Sequence, residues 1–165
     1  MTISLIKLPQ HSALHNIIEP DDFVDCYYND DVPKEILVSK AAIIVLTQMP
    51  KWVDILMKAR DFAVSFIGLK TASNIPDISE NEILKVGDYI GIFRVHSITK
   101  DEILIGEDDK HLNFLISVLR YEQGFALATW VHTHNWFGRF YLFSIMLFHK
   151  LIVRNAVGRL SLAKM

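Results

Sequence analysis

The segment GFALATWVHTHNWFGRFYLF, residues 124–143, changes its periodicity halfway along. Up to His134 it reads as a strand, in which alternate side chains share a face. One face is Phe125, Leu127, Thr129, Val131 and Thr133. The other is Ala126, Ala128, Trp130, His132 and His134. From Trp136 to about Leu162 the pattern is helical. Asn135 suits the N-cap, because its side chain can accept from the free N–H groups of a first turn. Gly138, inside that turn, suits close packing. The segment therefore makes a strand-to-helix corner.

Upstream the strand signals continue. Residues 88–98, 101–108, 111–122 and 124–134 are strand-like, and short turns between them predict antiparallel hairpins. DDFVDCYYND, residues 21–30, is a further strand. Residues 1–20, with Pro9 and Pro20, read as an extended lead-in. Between the first strand and the later ones, residues 39–69 look helical in two pieces. Pro50 starts the second, since proline suits a first helical turn and breaks an interior. Gly68 is its expected C-cap, and residues 74–82 form a loop. Strands and helices are segregated, so the class is α+β, with the long C-terminal helix covering one sheet face.

The chain has 165 residues, 51% hydrophobic and 22% charged, with a net charge of −2. That suits one domain spanning 1–165 with a real core. No block of like charge points to nucleic acid or an anionic membrane. The only cysteine, Cys26, excludes an internal disulfide and favours a cytoplasmic setting. The N-terminus lacks the pattern of a signal peptide. Phe140–Phe148 is the most apolar run, but a membrane span needs about 20 such residues. It reads as a buried helix, with a membrane-surface role as the alternative.

The pattern H-N-x-x-G-R-x-Y-L-x-x-I-x-x-F-H-x-L-I-V at 134–153 resembles the tail of a bacterial domain family of unknown function. P-x-W-V-D-x-L-M-x-x-R at 50–60 and G-L-K at 68–70 resemble its helical segment. The likeness covers roughly residues 20–160. The family's element order resembles the helix-grip fold of the START and Bet v 1-like superfamily. It implies a curved antiparallel sheet gripping the C-terminal helix, with a hydrophobic cavity between them. Some members carry a nucleotide-binding Rossmann domain; no G-x-G-x-x-G follows a strand here. The family has no settled activity, so the resemblance transfers no catalytic residue.

Seven polar residues stand on otherwise apolar elements: Arg94, His96, His132, His134, Arg139, Tyr141 and His149. They are the expected lining or rim of a pocket for a small, largely apolar or amphipathic ligand. Arg94 and His96 share a strand face with Ile90, Ile92 and Ile98. His132 and His134 point the same way, a spacing that can hold a metal, but zinc needs at least a third protein ligand. His96, His111, His149 and Asp25 are candidates, and spacing singles none out, so no metal or cofactor is assigned. A general-base role for the pair is the alternative, making the protein an enzyme. Arg139 either clamps a carboxylate or pairs with Asp54 or Asp61 of the second helix. Tyr141 suits the core. His149 lies on a helix face with Leu142, Ile145, Ile152, Ala156 and Arg159. Cys26 reads as a small buried hydrophobe, and the acids Asp21–Asp22, Asp30–Asp31 and Asp108–Asp109 as turn chemistry. A third reading is an interaction module, meeting another copy or a partner protein through an apolar face.

Overall fold

The computed structural model describes residues 3–33, 35–48, 51–53, 55 and 83–164. The second helix, its cap at Gly68 and the 74–82 loop lie outside the described residues, except that 51–53 and 55 are helical. Asp54 and Asp61 fall outside as well.

The class is α+β. Among the described residues, seven antiparallel strands form one sheet: β1 (Ile3–Leu5), β2 (Phe23–Asn29), β3 (Tyr89–Ile90), β4 (Phe93–Ile98), β5 (Glu102–Asp108), β6 (Leu112–Tyr121) and β7 (Gly124–Thr133). Their spatial order is β1-β2-β7-β6-β5-β4-β3. Helix α1 (Val38–Thr47) follows β2, and helix α2 (Trp136–Arg159) follows β7.

Residues 88–98 are not the single strand that their apolar pattern suggests. Ile90 pairs with Phe93 across a two-residue turn. Gly91 takes a φ of 65° at its first position, where a side chain would be strained. A register shift between Val95 and Ser97 breaks the alternation again. These two interruptions overturn the shared face. Ile90 and Val95 are buried in the core, whereas Arg94 and His96 point away from it and are exposed.

Both sheet faces are covered. On one, Tyr27, Ile103, Ile105, Val118, Phe125 and Leu127 pack against α1 and the last turns of α2. On the other, Cys26, Leu104, Leu119, Ala126, Ala128 and Trp130 pack under the lead-in. That segment is more than extended chain: it carries β1 and a 3-10 helix, Ala13–Asn16, capped by Ser12. Leu14 at its centre is fully buried, a burial that contributes roughly 2 kcal/mol. A buried carboxylate fixes the strap. Glu102 accepts from Ser12 Oγ at 2.7 Å, from the Ala13 N–H at 2.8 Å and from Ser117 Oγ.

Cys26 is 1% exposed, and burial, with the nearby Asp25 charge, pushes its thiol up to about 12. The native protein should therefore resist a thiol-reactive disulfide reagent at neutral pH, with one thiol appearing on denaturation. Rapid labelling of the folded chain would contradict this packing.

Helix α2 departs from expectation over Phe140–Phe148. Trp136, Phe140 and Phe143 are 79%, 63% and 74% exposed, and Phe148 is exposed too. A helix apolar on every side cannot turn all of them toward one sheet at 3.6 residues per turn. The buried line starts later, with Val153, Ala156, Val157 and Leu160, so of the expected stripe only Ala156 is fully buried. Buried Asn29 on β2 fastens that end, donating to the Val157 carbonyl at 2.9 Å and to Ser161 Oγ at 3.0 Å. Among the described residues, no single helix is long and apolar enough to cross a membrane.

Candidate functional site

The corner between β7 and α2 is built as its residue types suggest. Asn135 Oδ1 accepts from the Gly138 N–H at 3.0 Å, and its Nδ2 donates to the Lys110 carbonyl at 2.9 Å. The His134 N–H donates to the His111 carbonyl at 2.9 Å. Gly138 sits so close to that carbonyl that a Cβ would lie 2.1 Å from its oxygen. The start of α2 is thus clamped onto the β5–β6 turn.

Beside this corner a groove of about 580 Å³ opens between sheet and helix. Phe23, Val131 and Thr133 form its sheet wall; Leu142, Phe143 and Met146 form its helix wall. Asp21, Asp22 and Arg139 supply its polar groups. Its position follows from packing: the last turns of α2 press on the sheet and the first do not.

Of the seven expected site residues, Arg139 lines this groove. His149 lies next to it under the helix. Its Nε2 is 3.0 Å from Asp25 Oδ2, and both side chains are nearly buried. Its ring stands edge-on to Phe23, with centroids 5.6 Å apart. Asp25 Oδ1 is buried without a hydrogen-bond partner among the described residues. Tyr141 is half-buried on α2 and is not in the groove wall. Arg94 and His96 are on β4, which β5 and β6 separate from β7. They do not join the site.

His132 and His134 share a face, as expected, but the wrong one for a sheet–helix pocket. They extend the Ala126–Ala128–Trp130 line, which faces the strap, while Phe125 and Leu127 face the helices. Each imidazole has its own carboxylate. His134 Nε2 is 2.7 Å from Asp108 Oδ1, and His132 Nδ1 is 2.7 Å from Asp22 Oδ1. The rings of Trp130, His132 and His134 follow one another at 6.4 and 5.4 Å.

Asp22 organises this side. Its side chain is 2% exposed. Oδ2 accepts from Trp130 Nε1–H at 2.7 Å and from the Glu19 N–H at 2.8 Å. Burial pushes its carboxyl up, but the bonds from the Glu19 N–H, His132 and Trp130 outweigh burial and leave it below the usual carboxylate range. It is therefore a charged anchor at neutral pH. The pairs Asp21–Asp22 and Asp108–Asp109 look like turn chemistry in sequence, and nothing local signals that Asp22 and Asp108 each hold a histidine. Their partners stand more than a hundred and more than twenty residues away, respectively.

No curated protein and no solved structure matches the chain. A family model described as protein of unknown function (DUF2867) matches residues 19–156, from the turn before β2 to the buried end of α2. The chain belongs to the DUF2867 family.

Proposed function

We propose that this protein binds a small amphipathic molecule, with an apolar body and an anionic head, between its sheet and its C-terminal helix in a helix-grip-like arrangement. The observation that carries the reading is the groove beside the β7–α2 corner. Its volume falls in the range of small-molecule sites, and its lining divides between apolar side chains (Phe23, Val131, Leu142, Phe143 and Met146) and polar ones (Asp21, Asp22, Thr133 and Arg139). Arg139 supplies a cation able to hold a carboxylate or similar head in bidentate fashion. His149 and Asp25 back the inner wall behind Phe23. The general-base reading has Asp22 and Asp108 behind its histidines. The interaction reading rests on exposed Trp136, Phe140 and Phe143. The groove is favoured because it combines apolar walls with a charged group.

A fluorescent fatty-acid analogue tests this. It should bind the full chain with one-to-one stoichiometry. Arg139→Ala should weaken it about tenfold or more, the worth of one charge-assisted contact, and leave a neutral analogue unaffected. Leu142→Glu should weaken both. Failure of both substitutions to change either affinity rules the groove out.

A further inference from the structure

We infer that Glu19, Asp22 and His132 form a binding site for a divalent transition-metal ion, of which zinc is the natural probe. The inference does not rest on ligand binding in the groove: Asp22 borders both places, but His132 is on the strap side of the sheet and Arg139 takes no part. One imidazole and two carboxylates each offer a ligand atom, and these atoms all lie within 4.8 Å of one another. His132 Nδ1 is 2.7 Å from Asp22 Oδ1 and 3.8 Å from Glu19 Oε2. A tetrahedral ion about 2.0–2.1 Å from each ligand needs those atoms roughly 3.3 Å apart. The two distances straddle that spacing, and the third, between the two carboxylates, lies within 4.8 Å.

The surroundings are those of an oriented ligand set. The second oxygen of Asp22 is held by Trp130 and by the Glu19 N–H, which leaves Oδ1 directed at His132. Such outer hydrogen bonds fix a ligating carboxylate and preserve its charge. The same Glu19 N–H ties the two acids into one turn, reinforced by the Asp22 N–H donating to the Glu19 carbonyl at 3.1 Å. The Glu19 side chain is 68% exposed, so ions enter on its side and a fourth position stays open to water. A mixed nitrogen and oxygen set suits zinc, manganese or iron better than calcium or magnesium, which take oxygen ligands. The imidazole–carboxylate hydrogen bond must give way for the ion to enter.

Titration of the chelator-stripped full chain with Zn²⁺, followed by calorimetry, tests the site. One equivalent should bind. Glu19→Ala alters only an exposed side chain; it should weaken zinc at least tenfold with an unchanged melting temperature. His132→Ala should abolish binding, and His134→Ala should leave the affinity within about twofold. The assignment is overturned if the wild type takes up no stoichiometric zinc or if Glu19→Ala binds as tightly. It is also overturned if His134→Ala loses as much as His132→Ala, which would put the ion on the histidine pair.

Discussion

Gly138→Ala should destabilise the protein by about 2–3 kcal/mol, a cost of the overpacking kind. The sign is the informative part. In an exposed helix this change gains about 1 kcal/mol, because alanine is the better helix former. Here the new methyl would meet the His111 carbonyl oxygen at 2.1 Å and its carbon at 3.0 Å. Both are backbone atoms, so no rotamer change relieves the clash. The helix start has to lift from the β5–β6 turn, and the Asn135 bonds to Gly138 and Lys110 stretch with it. Urea unfolding of the two proteins measures the effect, as a lower midpoint at an unchanged slope. A midpoint raised by alanine would show that the corner is looser than described.

Glu102→Ala should cost about 3 kcal/mol, and its effect should be felt far from residue 102. The side chain is buried and accepts from Ser12, Ala13 and Ser117. Removing it leaves two hydroxyls and a backbone N–H without their acceptor, each costing about 1 kcal/mol or more where water cannot replace it. The 3-10 turn of the strap loses its carboxylate tie to the sheet and keeps the packing of Leu14 and its neighbours, while β1 stays paired with β2. Trypsin should then cut faster at exposed Lys7, while sites on the helix side are unaffected. Glu102→Gln preserves the shape but turns one acceptor into a donor, so it should fall between the two. Wild-type melting and wild-type cleavage in Glu102→Ala would mean that the β1 pairing and the apolar contacts hold the strap without the carboxylate.

The strands were legible in the sequence wherever one period ran unbroken, as in β6 and β7, whose boundaries fall within two residues of the pattern. The β7–α2 corner was legible too, because Asn135 and Gly138 act through their immediate neighbours. What failed was anything that reset the period. The turn at Gly91–Ile92 is bracketed by apolar residues on both sides, and the bulge after Val95 has no residue type of its own. Arg94 and His96 were misplaced for that reason. The strap was missed because Ile6, Leu8, Ala13 and Leu14 follow no helix or strand period; they are positioned by the sheet they cover. The spacing of His132 and His134 does put them on one face, but a strand apolar on both faces does not say which face meets the helix. Their carboxylate partners depend on β2 and β5 lying near β7, which no local pattern states.

The strand order also has a consequence for how the chain is made. β3 to β7 follow one another as successive hairpins, so each can pair with the strand synthesised just before it. β2 cannot: apart from three-residue β1, its partner is β7, with Cys26 opposite Ala128. Until β7 is made, β2 waits with one long edge open, and the loop that must close to dock it runs from residue 30 to residue 123. Long-range pairing of this kind is slow and leaves strand edges exposed meanwhile. The last strand made thus completes the sheet for the first large strand made. A nascent chain cut short before residue 124 has the meander's beginnings but no place for β2 to dock.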